Sequence, residues 1–258
     1  MYFYIGLGSL YILITFNTKK MDPIQRAREL LKSLFSNHQV DEAHGIIHAD
    51  KVAEHARRAV EVETHVFPKT KENIILAALL HDADDKKFFN TPDFNNAIAI
   101  VKLVDPDAEF SVWRMIRRVS VRDNKHMENY MEYEEIPAIC DRLEAIGEVG
   151  IARCYIYTKA IGNPLFTEKT PRVTCEKELW QVATPERFAN YKGNSDDMIS
   201  HYYDKLVHLD KDLKSNNPYL KQEIAKRKGV MLEFLFNFGR TGTLDIAYLE
   251  LLASIHSK

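Results

Sequence analysis

Glycine and cysteine are scarce in this chain of 258 residues, and its net charge is small. Glycine contributes only 10 residues, which is few for a fold of tight β-hairpins and favours helices. The three cysteines, Cys140, Cys154 and Cys175, form no CxxC pair, so the sequence supports neither a disulfide framework nor a structural zinc cluster. This cysteine usage favours a reducing, cytoplasmic location. A formal charge of −2 gives no bulk attraction for nucleic acid, and we expect no nucleic-acid partner.

Residues 1–20 differ from the rest of the chain. Their first 16 residues carry no charge, but they fall short of the roughly 20 residues that a membrane-spanning helix needs. They also lack the basic start and the small-residue cleavage site of a signal peptide. We expect an apolar N-terminal appendage over 1–20 and a single domain over 21–258. The appendage is a weak membrane anchor, a packed extra helix or sequence upstream of the true start, and we expect no other membrane contact.

The rest of the chain has the apolar pattern of helices. Apolar residues recur at spacings of three and four after Met21, and Asp22-Pro23 is a typical helix cap and first-turn pair. Late helices are predicted at about 195–213 and 217–238, and a helix after Asp105-Pro106 is predicted to turn Phe110 inward. No stretch shows sustained two-residue alternation, so the predicted fold class is all-α. Residues 162–194 have weak periodicity and predict a long irregular excursion.

The motif that points to chemistry is His81-Asp82, which ends a solid apolar run over 74–80. An imidazole beside a carboxylate, delivered by a buried helix, suits one divalent metal ion. His48 lies upstream on another predicted helix, and Asp141 starts a further one. Together these four residues make a mixed nitrogen and oxygen set for one octahedral metal with water in the open positions.

Four segments of the chain, in order, resemble the HD-domain phosphohydrolase superfamily. The segment 44–52 (HGIIHADKV) is similar to the opening H-x-x-x-H-x-x-[RK]-V. The segment 78–88 (ALLHDADDKKF) is similar to A-L-L-H-D-x-x-D-x-K-F of a subgroup of stand-alone hydrolases. The segments 141–153 (DRLEAIGEVGIAR) and 201–206 (HYYDKL) match later motifs of that subgroup. The chain departs from the subgroup at Gly45, where an acidic residue is usual, and at Ile139, where a further carboxylate is common.

The resemblance implies a single HD-type helical bundle that hydrolyses phosphate esters or anhydrides. Better-understood members of the subgroup are nucleoside triphosphate pyrophosphohydrolases, so the implied partner is a small-molecule nucleotide, with monophosphate and pyrophosphate as products. Two alternatives stay open: a nucleotide phosphomonoesterase or phosphodiesterase, and an inactive nucleotide-binding module. The sequence does not determine the base, the sugar or the oligomeric state.

Each candidate residue has an expected role in this reading. The metal ligands are His48, His81, Asp82 and Asp141, and the ion is Mn, Co, Ni, Fe, Mg or Zn. Asp82 also counts as catalytic, and Asp85 would face the same water if the helix of His81 continued for one more turn. The residues expected to contact the substrate are Lys87, Arg153, Lys205 and His44.

Overall fold

Helices carry the fold in the computed structural model of the protein. The structure describes residues 6–7, 10–11, 21–40, 45–91, 94–119, 131–211 and 213–256. The chain forms two compact units, Met1–Asp141 and Arg142–Lys258. The predicted all-α fold class is confirmed. Most of residues 1–20 lie outside the described ranges, so the appendage and the single domain over 21–258 stay predictions.

The first unit consists of helices and one short pair of strands. Its elements are β1 (Gly6–Leu7), β2 (Leu10–Tyr11), α1 (Pro23–Asn37), α2 (Ile46–Glu61), α3 (Pro68–Leu80), α4 (Asn95–Val104), a 3₁₀ turn (Pro106–Ala108), α5 (Glu109–Val119), a second 3₁₀ turn (Glu132–Glu135) and α6 (Ile136–Leu143). The two strands pair antiparallel. The boundary between the units falls inside α6.

Helix α3 is the centre of the first unit. Its residues from Asn73 to Leu80 are all buried, because α1, α2 and α5 pack around it. A helix that is apolar on every side is typical of such a position. Burying a Leu or Ile side chain fully contributes roughly 1.5–3 kcal/mol, so the buried residues from Asn73 to Leu80 hold α3 in place.

Small side chains on α2 allow it to approach α3. The face of α2 that is buried carries four alanines, Ala49, Ala53, Ala56 and Ala59. The first turn of α2 lies beside the last turn of α3, where the rings of His48 and His81 have centroids 5.2 Å apart. The packing of this helix pair therefore brings together two imidazoles that are 33 positions apart in the sequence.

One sequence expectation in this unit is wrong. Phe110 was predicted to point inward, but it is 69% exposed. The buried face of α5 carries Val112, Met115 and Ile116, and this spacing leaves Phe110 on the opposite side. There its ring stacks on Trp113 at a centroid distance of 6.1 Å. By contrast, Asp22 caps α1 as predicted, since its carboxylate accepts hydrogen bonds from the backbone N–H groups of Ile24 and Gln25.

The second unit is built on three longer helices. Its elements are α7 (Gly147–Ala160), α8 (Glu176–Val182), α9 (Pro185–Ala189), α10 (Met198–His201), a π turn (Tyr202–Leu206), α11 (Val207–Lys211), α12 (Pro218–Thr241) and α13 (Ile246–His256). Helix α7 packs against both α12 and α13. The predicted excursion over 162–194 contains two short helices, α8 and α9, which its weak periodicity did not indicate.

Two positions near the start of α7 require glycine for steric reasons. Gly147 has a φ of +73°, in the left-handed region that favours glycine. A Cβ atom on Gly150 would lie 2.4 Å from the carbonyl oxygen of Ala145. The glycines of the segment 141–153 are therefore required by the tight entry into α7. Across the described part of the chain, every helix is too short or too polar to cross a bilayer.

Candidate metal centre

His81 is delivered to the site by the end of α3. It follows Leu80 directly and keeps a helical backbone, with φ −58° and ψ −33°. Its Nδ1 atom lies 2.8 Å from the carbonyl oxygen of Ala78. Because a carbonyl oxygen only accepts, this hydrogen bond places a proton on Nδ1, so Nε2 is the nitrogen that carries the lone pair when the imidazole is neutral. Nε2 is buried and has no hydrogen-bond partner within the described residues.

Three further donor atoms, from His48, Asp82 and Asp141, converge around this Nε2 atom. It lies 3.3 Å from Oδ2 of Asp82 and 3.5 Å from Oδ1 of Asp141. Nε2 of His48 lies 3.7 Å and 3.3 Å from the same two oxygens. The donors of His48, His81 and Asp82 all lie within 4.8 Å of one another. The structure thus brings together all four residues that the sequence predicts as ligands.

The two kinds of ligand differ in exposure. The imidazole side chains of His48 and His81 are 8% and 1% exposed, whereas the carboxylates of Asp82 and Asp141 are 21% and 32% exposed. The histidine side of the cluster is therefore sealed by protein. A water molecule or a substrate would approach from the carboxylate side.

The electrostatics of the cluster favour positive charge. Burial opposes a charged imidazole, but the nearby Asp82 and Asp141 carboxylates outweigh it and raise the pKa of His81 well above its ordinary value. Burial likewise disfavours a charged Asp82, and the His81 imidazolium outweighs it and lowers the pKa of that carboxyl. The imidazoles of His48 and His81 likewise outweigh burial and lower the pKa of the Asp141 carboxyl. The two carboxylates therefore stabilise positive charge at this place, whether on the imidazole or on a bound cation.

The donor set fits a divalent metal ion. Metal–nitrogen and metal–oxygen bonds of roughly 2.0–2.2 Å place neighbouring donors about 3 Å apart, close to the separations in this cluster. The Nδ1–H group of His81 donates to a backbone carbonyl, as is usual for metal-binding histidines. The buried Nε2 atom, which has no hydrogen bond within the described residues, is therefore the nitrogen available to a metal ion. Two imidazoles with two carboxylates suit Mn, Fe, Co, Ni or Zn.

Asp85 does not lie one α-helical turn after His81, because α3 ends at Leu80. The chain continues in tight turns, with a backbone hydrogen bond of 3.1 Å from the N–H of Asp85 to the carbonyl of Asp82. The Asp85 carboxylate accepts a hydrogen bond of 3.0 Å from the N–H of Lys87 and lies 3.8 Å from its ammonium. Its side chain is 18% exposed, so it is not a freely solvated carboxylate. Its catalytic role stays a prediction.

Two other predicted substrate contacts, Arg153 and Lys205, follow the four ligands in the sequence. Arg153 donates a hydrogen bond of 3.1 Å to the carbonyl of Glu144, and the ammonium of Lys205 lies 5.8 Å from the ring centroid of Tyr191. Both residues belong to the second unit. His44 lies outside the described residues. The expectation that His44 and His48 share a helical face therefore stays a prediction.

A buried carboxylate beside the ligands escaped the sequence reasoning. Asp84 is 9% exposed and accepts hydrogen bonds from Thr91, Asn96 and Ala97. The sequence pattern does not distinguish Asp84 from its neighbour Asp85, because the hydrogen-bond partners of Asp84 lie 7 to 13 residues downstream.

A second polar cluster, also missed, surrounds the π turn of the second unit. Ser195 donates a hydrogen bond of 2.6 Å to Asp204, whose other carboxylate oxygen accepts from Arg187. His201 lies in the same cluster, and burial, with the nearby Lys205 charge, lowers the pKa of its imidazole to about 4. The signal available in the sequence was the segment 201–206, which contains this π turn. Such turns often occur at functional positions.

Known proteins include relatives that are similar in sequence to this chain. No protein-family model matches the chain. Its sequence is 34% identical to protein L803 of Acanthamoeba polyphaga mimivirus over 227 residues, which cover 81% of this chain and 93% of L803. It is 25% identical to YpgQ of Bacillus subtilis over 194 residues, which cover 70% of this chain and 79% of YpgQ.

Solved structures share the fold at lower sequence identity. An HD-superfamily hydrolase from Bacillus thuringiensis superposes with a TM-score of 0.59 and 22% identity, covering 83% of this chain and 94% of that protein. The Bacillus subtilis YpgQ in complex with ADP gives a TM-score of 0.53 and 18% identity, covering 84% of this chain and 94% of YpgQ.

Proposed function

Because the chain belongs to the HD superfamily, whose fold it has, we propose that it is a metal-dependent phosphohydrolase that acts on nucleotides. The substrate we propose is a nucleoside or deoxynucleoside triphosphate. The products are the monophosphate and pyrophosphate. This substrate class comes from the resemblance of the segments 44–52, 78–88, 141–153 and 201–206 to the pyrophosphohydrolase subgroup.

One observation carries the proposal: the open Nε2 of His81 lies among three further donor atoms. Each of the two imidazole Nε2 atoms, of His48 and His81, lies within 3.7 Å of an oxygen of Asp82 and of an oxygen of Asp141. A cluster built only for stability would pair the imidazole with a well-aligned acceptor rather than leave it without a hydrogen bond. The ADP complex of YpgQ supports a nucleotide as the ligand class.

The four ligand residues would divide the work of holding the metal. His48 and His81 bind through neutral imidazole nitrogens, and Asp82 and Asp141 offset the charge of the ion. When bound, a divalent ion lowers the pKa of a water molecule and polarises a phosphoryl oxygen. The partly exposed Asp82 and Asp141 face the side from which the substrate arrives.

Asp85 is our candidate for the proton acceptor. It follows the ligand Asp82 by three positions, and its carboxylate is tied to Lys87 rather than left in bulk water. A carboxylate with a fixed orientation can take the proton of the attacking water and pass it to solvent.

Cations are needed to offset the charge of a triphosphate. Lys87 is a candidate that lies five residues after the ligand Asp82, and its side chain is 63% exposed. Arg153, Lys205 and His44 are the other candidates, and their roles come from the resemblance. In the reaction, the water oxygen bonds to the α-phosphorus, the bond from that phosphorus to the bridging oxygen breaks, and pyrophosphate leaves with that oxygen.

The experiment that tests the proposal separates products as well as substrates. The full chain is loaded with Mn²⁺, Co²⁺, Ni²⁺ or Mg²⁺ and incubated with a panel of ribo- and deoxynucleoside triphosphates, diphosphates and monophosphates, together with a nucleotide phosphodiester. Pyrophosphate and orthophosphate are separated by chromatography. The Asp82→Ala variant, treated identically, controls for contaminating phosphatases.

The products discriminate between the three readings. Pyrophosphate from a triphosphate, absent with Asp82→Ala, supports the proposal. Orthophosphate would instead indicate a phosphomonoesterase, and cleavage of a diester substrate a phosphodiesterase. Nucleotide binding without product under any of the metals would indicate an inactive binding module and contradict the proposal.

A further inference from the structure

Asp84 connects the metal-binding turn to helix α4. Its Oδ1 atom accepts hydrogen bonds from the Thr91 hydroxyl and from the N–H of Asn96, the latter at 2.9 Å. Its Oδ2 atom accepts from the N–H of Ala97, also at 2.9 Å. In addition, the Asn96 side chain donates a hydrogen bond of 3.0 Å to the carbonyl of Ala83. Two consecutive residues after Asp82 are therefore attached to the first turn of α4.

Helix α4 depends on this attachment because it lacks a local cap. The residue at its N-cap position is Phe94, whose side chain cannot accept a hydrogen bond. Phe94 also has a φ of +61°, a left-handed conformation that costs a non-glycine residue roughly 1 kcal/mol or more. The Asp84 carboxylate satisfies the free N–H groups of α4 from 12 and 13 residues upstream and places a negative charge at the positive end of the helix.

Helix α4 is a firm anchor for the turn. Ala97, Ile100 and Val101 are buried on it, and the helix packs against α1 and α5. The guanidinium of Arg26 on α1 donates a hydrogen bond of 2.8 Å to the carbonyl of Leu103 near its other end. A side chain fixed to the start of α4 is thus fixed to the body of the first unit.

Asp82 lies between two fixed points. On its N-terminal side, His81 is held by α3 and by the hydrogen bond to Ala78. On its C-terminal side, Ala83 and Asp84 are held by α4. Asp82 itself is 21% exposed, so its orientation depends on the backbone on either side rather than on tight packing.

We propose that Asp84 is a positioning residue of the metal centre, which orients the ligand Asp82 by fastening the metal-binding turn to the N-terminus of α4. Asp84 does not itself bind the ion, since its carboxylate oxygens are already occupied by the three donors. This inference rests on the proposed metal site. Removing one of its oxygens frees the turn, and Asp82 then spends part of its time away from the position of a ligand.

The test compares two buried capping carboxylates. Asp84→Asn keeps the size of the side chain but loses an acceptor for a backbone N–H. Its matched control is Asp197→Asn in the second unit. The buried carboxylate of Asp197 also accepts hydrogen bonds from a backbone N–H, that of Ser200, and from a threonine hydroxyl, that of Thr170. Mn²⁺ binding is measured by calorimetry and by electron paramagnetic resonance at 25 °C, together with helix content and Tm.

We expect both variants to lose thermal stability and only Asp84→Asn to lose metal affinity. The Kd for Mn²⁺ should rise about 10- to 100-fold with Asp84→Asn, the usual effect of losing a partner that orients a ligand, and stay near wild type with Asp197→Asn. The activity of Asp84→Asn should return toward wild type at saturating Mn²⁺. An unchanged Kd with a lowered Tm would show a purely structural cap and overturn the inference. A wild-type chain that binds no Mn²⁺ would instead contradict the proposed metal site.

A milder pair of variants covers the case in which Asp84→Asn does not fold. Thr91→Val removes one donor to Asp84 and leaves both backbone hydrogen bonds to α4 in place. The loss of one hydrogen bond predicts a two- to tenfold rise in the Kd for Mn²⁺, about 0.5–1.5 kcal/mol. Thr170→Val is the corresponding control. Equal effects of both threonine variants on the Kd would overturn the inference.

Discussion

Each unit of the molecule has a histidine and an aspartate in one polar cluster, and the two clusters differ in electrostatics. In the first unit, His81 faces the carboxylates of Asp82 and Asp141, which raise its pKa. In the second unit, burial and Lys205 lower the pKa of His201 to about 4. The Asp204 carboxylate is occupied there by Arg187 and Ser195. One cluster attracts a cation, and the other satisfies its charges internally.

The difference lies in where the hydrogen bonds go. In the first cluster a backbone carbonyl takes the Nδ1–H of His81 and leaves Nε2 free. In the second, Nδ1 of His201 lies 3.4 Å from the Ser195 hydroxyl, and its ring packs edge-on against Tyr191. A His and Asp pair in the sequence is thus insufficient to identify a metal site. An open imidazole nitrogen beside unneutralised carboxylates is the feature that does so.

The substitution with the largest expected effect on metal binding, Asp82→Ala, distinguishes the two clusters directly. Asp82→Ala should weaken metal binding by about 100-fold or more and abolish hydrolysis, because it removes a ligand. Helix content should stay at the wild-type level, because α3 is held by its apolar residues. Metal content is measured after dialysis, alongside the hydrolysis rate.

Asp204→Ala is the counterpart of Asp82→Ala in the second unit. It leaves Arg187 without its carboxylate partner and should cost stability of about 1–3 kcal/mol while the metal content is retained. Full metal occupancy with the wild-type rate in Asp82→Ala would contradict the ligand assignment, as would metal loss with Asp204→Ala alone.

Asp85→Asn should have the next largest effect. If Asp85 accepts the proton of the attacking water, kcat should fall by about 10²- to 10⁴-fold while the Kd for the metal stays near wild type. Calorimetry and steady-state kinetics on the same preparation separate the two quantities. A wild-type kcat with the metal bound would show that Asp85 serves only the turn that includes Lys87.

The lowered pKa of His201 predicts an acid sensitivity of stability. Above pH 6.5 the imidazole is neutral in both the folded and the unfolded chain and makes no difference. Between pH 6.5 and about 4 the unfolded chain binds a proton that the folded chain does not, so stability is lost as pH falls. The expected loss is about 2 kcal/mol between pH 7 and pH 5.

Urea unfolding of wild type and His201→Gln at both pH values measures this loss. The variant should lose less stability on acidification than wild type, by about that amount. His65→Gln, at an exposed position, serves as the control and should follow wild type. A pH dependence that His201→Gln leaves unchanged would show that His201 is not held neutral.

The smallest effect concerns cysteine reactivity near the second cluster. Burial raises the pKa of the Cys154 thiol to about 12, whereas Cys175 is exposed. Because the thiolate is the reactive form, iodoacetamide at pH 8 should modify Cys175 alone in the folded protein and all three cysteines after denaturation. Mass spectrometry counts the modifications. Rapid labelling of Cys154 in the folded chain would show that this region is open to water.

Local signals in the sequence were sufficient for much of the fold and for the choice of ligands. Asp22-Pro23 capped a helix as predicted, since capping involves residues two and three positions apart. The run over 74–80 ended at His81 as predicted, because an apolar helix of that length is buried on all sides. The approach of His48 and His81 followed from the motif order rather than from periodicity.

Long-range contacts and helix ends could not be read from the sequence. Asp84 and Asp85 are adjacent, and only partners 7 to 13 residues downstream bury the first of them. The end of α3 at Leu80 removed the helical geometry assumed for Asp85. Phe110 pointed outward because three other residues already filled the inner face of α5.

The central claim is that four side chains of the first unit hold one divalent metal ion, and the most direct measurement is the anomalous scattering of Mn²⁺ in crystals of the full chain. The account predicts one strong peak per chain, bound by Nε2 of His48 and His81 and by the carboxylates of Asp82 and Asp141. A strong peak elsewhere, or no peak among these four residues at saturating Mn²⁺, would contradict it.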